Sequence, residues 1–164
     1  MAAACGHEVA LKLFPVASVS LRDSGQLSLA TALMRSLHPI WRPRLEVPVA
    51  AGDLRAADIL LSHPEEVVQI EIERGLVDFQ AQLRLGQVKR EMFAASESRP
   101  VRLLVAVPDT QSMRERLHAL APLLERSMPV ETRRILGALR TGRPVGSDGL
   151  IVVREQRLTI AART

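Results

Sequence analysis

The sequence predicts a single mixed α/β domain, with a central mixed sheet flanked by helices. Three observations carry that expectation. Residues 44–73 hold three short β-prone runs separated by turns, which read as a meander. Residues 76–95 then change to helical spacing. VRLLVAV, at 101–107, is continuously apolar, as a strand buried on both faces requires. A chain of 164 residues, 47% of them hydrophobic, is long enough for one domain with its own core.

The elements follow in order. VALKLF (9–14) reads as a short strand ended by Pro15, and SVSLRDSG (18–25) as an extended piece closing on a turn. GQLSLATALMRSLHP (25–39) has apolar residues at 27, 29, 33, 34 and 37, a helical spacing that Pro39 stops. RLEVPVA (44–50) is strand-like, and Pro48 predicts an edge position because it cannot donate to a ladder. LRAADILL (54–61) and VVQIEIE (67–73) flank the polar turn SHPEE and form a natural hairpin. After the long helix and VRLLVAV, Ser112 and Glu115 have capping-box spacing for a helix to about Arg126. Asp109 and Thr110 are also placed to cap it. Thr132 to Arg140 is a second helix ended by TGRP, and GLIVV (149–153) is a last strand. There is no internal repeat and no low-complexity stretch.

Several function classes lose support here. No apolar run approaches the 18 or so residues that span a bilayer, so no membrane segment is expected. MAAACGHEVALKLF lacks a basic start and carries Glu8, a poor signal peptide. Cys5 is the sole cysteine, which rules out an internal disulfide and a thiolate zinc cluster and favours a reduced, cytoplasmic setting. His7, His38, His63 and His118 lack ligand spacing. No Gly-rich phosphate loop or nucleophile elbow is present.

The net charge of +4 is uneven: residues 1–100 sum to −1 and residues 101–164 to +5. A basic half suits nucleic acid, although arginine-rich composition alone also raises a pI. Arg133, Arg134, Arg140 and Arg143 read either as a basic edge toward phosphates or as a solvated helix face. Aromatic residues number only four, so a base-stacking platform is not expected. Trp41, between Pro39 and Pro43, reads as a core anchor.

Inside VVQIEIERG, Glu71 and Glu73 point to one side of the strand, with Val68, Ile70 and Ile72 on the other. Two residues along a strand is roughly 6.6 Å. At an effective dielectric near 20 the two charges repel by about 2–3 kcal/mol; in water the cost is a few tenths. Either the pair is solvated at an exposed strand end, or an arginine, a lysine or a metal lies between. If the hairpin pairs, Asp58 joins Glu71 on one face, and three carboxylates make a hard, oxygen-rich site of the kind Mg²⁺ or Mn²⁺ prefers.

On the following helix, Val77, Ala81, Leu85, Val88 and Met92 form one apolar stripe. Phe79, Leu83, Gly86 and Phe93 form another, nearly opposite. Asp78, Gln82 and Lys89 stack on a polar line between them, and such a line needs partners if it is buried. Lys89, one of only two lysines, can reach toward the carboxylates or pair with Asp78 or Gln82. Gln80, Arg84, Gln87 and Glu91 fill a face that solvent can cover.

WRPRLEVPVAAGDLRAADILL (41–61), QIEIERGLVDFQAQLRLGQVKRE (69–91) and VRLLVAVPDT (101–110) together resemble the PD-(D/E)XK, or restriction-endonuclease-like, superfamily. More narrowly they resemble a domain common in actinobacterial proteins, where it follows a helix-turn-helix module; no such module is expected before residue 18. The resemblance spans roughly 18–153, leaving 1–17 as an N-terminal extension and 154–164 as a tail. It implies a restriction-endonuclease-like core and Mg²⁺- or Mn²⁺-dependent cleavage of nucleic acid, DNA more than RNA. It also implies pairing into homodimers. Asp58 then matches the first acid, Glu71 the second, Gln80 the helix glutamine and Lys89 a lysine moved onto the helix. Asp58, Glu71 and Glu73 would hold the metal. Glu73 stands where the superfamily's lysine would be, the first helix has no glutamate, and Arg74 could neutralise the glutamates without metal. These departures keep a second expectation open: a non-catalytic, DNA-associated regulatory or protein-interaction module built on the same fold.

Overall fold

A computed structural model describes residues 24–154; the expected strand at 9–14, most of the extended piece at 18–25 and the tail after Arg154 lie outside the described residues. The order is α1 (Ser24–Met34), β1 (Arg42–Pro48), β2 (Ala56–Ser62), β3 (Val67–Ile72), α2 (Phe79–Ser96), β4 (Val101–Pro108), α3 (Gln111–Ala119), α4 (Ala121–Ser127), α5 (Thr132–Thr141) and β5 (Gly149–Val153). The strands form one sheet in the order β1-β2-β3-β4-β5. β1, β2 and β3 are an antiparallel meander, whereas β4 and β5 join in parallel. The predicted mixed α/β class is therefore what the chain adopts, and Pro48 does lie on an edge strand.

Alternation along β4 divides the core in two. Leu104 and Ala106 face α1 and α5, and are buried with Leu29, Leu33, Trp41, Ile70, Ile72, Ile135 and Leu139. Leu103, Val105 and Val107 face the other way, with Phe79, Leu83, Met113 and Leu150. Trp41 is the core anchor its setting suggested, 3% exposed and tilted against the ring of His63. None of the helices among the described residues is long and apolar enough to cross a membrane.

Two expected boundaries move. The single helix from Ser112 to about Arg126 is two helices broken at Leu120, because Pro122 cannot donate to His118 and its ring crowds that carbonyl. The first of them is capped by Thr110, whose Oγ1 accepts the Met113 N–H at 3.2 Å, rather than by the Ser112–Glu115 box. Gly142 ends α5 in the left-handed region, φ 71°, and a β-carbon there would come within 2.6 Å of the His38 ring. Both facts require glycine.

Of α2's two apolar stripes, the sheet takes Phe79, Leu83, Gly86 and Phe93. Gly86 allows close approach: a β-carbon would stand 3.1 Å from Leu103 Cδ2. Ala81, Leu85 and Val88 are left exposed on the opposite side, while Val77, expected on the same stripe, lies ahead of the Asp78 cap and outside the helix.

Candidate functional site

Where β2 diverges from β3, Lys89 bonds Glu71, and the Asp58 charge acts on both Glu71 and Glu73. The β2–β3 register runs from Ser62↔Val67 to Ile59↔Ile70 and stops there. One residue further, the Asp58 side chain takes over from backbone pairing: its Oδ2 accepts the Ile72 N–H at 2.7 Å. On the β1 side the ladder pairs Leu45 with Ile59 and Val47 with Ala57 but not Glu46 with Asp58, and Glu46 has left-handed backbone, φ 51°. Backbone strain in a residue with a side chain costs on the order of 1–3 kcal/mol and gathers at functional sites.

Glu71 is 8% exposed, on the face of β3 that α2 covers. Its Oε2 accepts Lys89 Nζ at 2.6 Å and its Oε1 accepts Gln69 Nε2 at 2.7 Å. Lys89 also donates to the Ala56 carbonyl, 2.8 Å away. Of the fates open to Lys89, the structure therefore selects the carboxylate. Asp78 is turned outward as the N-cap of α2, accepting the Ala81 N–H at 3.0 Å. Gln69, wholly buried, also donates to the Gly86 carbonyl at 3.1 Å, so it ties β3 to α2 beneath Glu71.

Glu73 is half-buried and accepts Gln82 Nε2 at 2.6 Å; the same amide donates to the Gly75 carbonyl at 2.9 Å. Gln80 is exposed, so the helix glutamine that reaches a carboxylate is Gln82. The reason is the 100° step: Gln82 shares its line with Lys89, whereas Gln80 lies on the solvent side. Arg74, the alternative neutralising charge, runs to the start of α1, where a β-carbon on Gly25 would overlap its guanidinium. From α1, Gln26 Nε2 donates to the Ile72 carbonyl at 3.1 Å.

Burial pushes the Glu71 carboxyl up to about 7, with the Asp58 charge adding to the rise and Lys89 opposing it. Glu73 is raised too, again by burial first, with Asp58 contributing and Gln82 opposing. Asp58 is thus electrostatically coupled to both glutamates.

A pH dependence follows. A carboxyl whose folded pKa lies above its unfolded value of about 4.5 is destabilising once ionised. The advantage is complete below pH 4.5 and is lost as pH rises through 7. We expect Glu71→Gln to flatten the fall in melting temperature over that window. Melts of both proteins from pH 4 to 8 check it, and parallel curves would dismiss the raised carboxyl.

Three contributing residues went unremarked in the sequence as site groups. Gln69 shares strand parity with Glu71 and Glu73, and Gln82 stands on the polar line with Lys89, so spacing carried a signal for both. Gln26 had none, because its contact spans 46 residues of chain. On the sheet's other face, Arg35, Arg133, Arg140 and Arg154 line a groove of about 840 Å³ beside α1 and α5. Comparison with protein-family models, with curated proteins and with solved structures finds no match in any of the three.

Proposed function

We propose that the chain is a nuclease-like domain of the PD-(D/E)XK class, acting on nucleic-acid phosphodiesters with Mg²⁺ or Mn²⁺. The carrying observation is the buried Lys89–Glu71 pair where β2 parts from β3, with Glu73 raised beside it and the Asp58 charge acting on both glutamates. The order α1-β1-β2-β3-α2-β4, with β4 parallel to β3, supports the same reading.

By chemical type the donors suit a hard divalent cation: carboxylates of Asp58, Glu71 and Glu73, with the buried oxygens Gln69 Oε1 and Gln82 Oε1 lacking any hydrogen-bond partner. As the side chains stand, no three Asp, Glu, His or Cys residues among those described form a group that could hold a metal. Lys89 and Gln82 occupy oxygens of Glu71 and Glu73, so loading requires those bonds to be released. Asp58, Glu71 and Glu73 would hold the metal, which would supply an activated water and charge neutralisation at the phosphate. Lys89, once released from Glu71, would stabilise the scissile phosphate or orient the water. Glu71 must be ionised to serve, so activity should rise with pH toward 7 and above.

Incubation with linear duplex DNA, single-stranded DNA and RNA, in Mg²⁺, Mn²⁺ or EDTA, tests the proposal. We expect metal-dependent cutting that Glu71→Ala lowers by about 100-fold or more. Cutting that survives in the variant would sink it.

A second reading is a non-catalytic, DNA-associated module. It is favoured by the protein donors that already satisfy both Glu71 oxygens, and by the arginine-lined groove on the opposite face. Absence of cutting, with duplex binding lost in Arg133→Glu, is its expected signature.

A further inference from the structure

α2 is apolar on two opposite faces, and the sheet buries only one. On the free side Leu85 is 49% exposed and Val88 38%, with Ala81 exposed; Met92, next along, is half-buried and packs against the cluster around Phe93 and Val101. From Ala81 to Val88 this stripe runs roughly 10 Å. A contiguous apolar strip on the solvent side of a helix marks a contact surface rather than scattered exposure.

The charges beside the stripe indicate what covers it. Arg84 and Glu91 lie along the same flank, both exposed, and neither forms an ion pair among the described residues. When two copies of a helix pack antiparallel about a two-fold axis, each flank meets the same flank of its partner. An axis between Leu85 and Val88 sets Leu85 against the partner's Val88 and Ala81 against the partner's Met92. It brings Arg84 within two residues, about 3 Å along the helix, of the level of the partner's Glu91. Symmetry repeats that pair, so two ion pairs of opposite charge close the flank. The other flank, with Lys89, is turned toward the sheet and stays engaged with Glu71.

We infer that a second copy of this chain covers the exposed stripe of α2, through antiparallel α2–α2 packing with reciprocal Arg84–Glu91 ion pairs. The pairing is independent of any chemistry at the carboxylates.

Sedimentation velocity of the full chain across micromolar concentrations tests it. The expected result is a species of twice the 18.0 kDa chain mass, growing with concentration. Leu85→Glu abolishes it. Arg84→Glu and Glu91→Arg each weaken it by about tenfold or more, because each sets like charges together twice. The double reversal, Arg84→Glu with Glu91→Arg, restores it. Three results overturn the inference: a monomer at every concentration, a dimer indifferent to Leu85→Glu, or a double reversal no better than the singles. Arg84 and Glu91 are exposed and make no ion pair among the described residues, so the reversals leave the fold intact and the comparison valid even if Leu85→Glu does not fold.

Discussion

Lys89→Met destabilises the protein by about 3 kcal/mol at pH 8 and by less at pH 5. The methionine keeps most of the stem volume, so the loss is that of the ammonium. At pH 8 its removal leaves Glu71 buried with only Gln69 to offset its charge. It also strips the Ala56 carbonyl of its donor. Glu71 responds by holding its proton to higher pH, since Lys89 opposes the upward shift that burial imposes. The folded pKa therefore moves further above the unfolded value, and the window of falling stability extends upward beyond pH 7. At pH 5 a protonated Glu71 needs no counter-charge, and the variant loses mainly one hydrogen bond. Adding Glu71→Gln to Lys89→Met recovers much of the loss at pH 8, because the uncompensated carboxylate is gone. Urea unfolding at the two pH values measures this. A loss of the same size at both, unaffected by the second substitution, would separate Lys89 from Glu71.

Glu66→Ala is expected to cost about 3–5 kcal/mol. Glu66 is 2% exposed, although its place in SHPEE reads as a polar turn. Its Oε1 accepts the Val145 N–H at 2.5 Å and its Oε2 the Gly146 N–H at 3.2 Å, 79 and 80 residues away. Arg102 lies 3.5 Å from Oε2. Alanine leaves two backbone donors and a half-buried guanidinium without their acceptor. Glu66→Gln is also costly, by about 2 kcal/mol, because its amide turns a donor toward groups that are all donors. The 143–148 loop should open first, so faster hydrogen exchange at Val145 and Gly146 ought to precede global unfolding. A stability change within about 0.5 kcal/mol for Glu66→Ala would show that the loop is held by something else.

The site was partly legible before the fold. Strand parity put Glu71 and Glu73 on one side, and the helical step put Gln82 and Lys89 on one line. Both rules are local and survive any tertiary arrangement. Gln80 illustrates the limit: matching a motif selected it, while the helix geometry already favoured Gln82. Which partner Lys89 would choose was not decidable from spacing, because Asp78, Gln82 and the carboxylates were all within reach. Asp78 was removed from that choice when α2 began at Phe79 and used it as the N-cap.

By itself the sequence determined the mixed α/β class, the edge position of β1, the two-sided burial of β4 and the periodicity of α2. Each depends on residue type and on spacing along one stretch of chain. Tertiary structure alone decided that Phe79 and Leu83, rather than Leu85 and Val88, face the sheet. It alone brought Gln26 to β3 and Glu66 to the 145–146 backbone, and it alone turned Arg74 toward α1. Those outcomes depend on which surfaces fill the space beside each element. Close packing of segments dozens of residues apart sets that, and no local pattern encodes it.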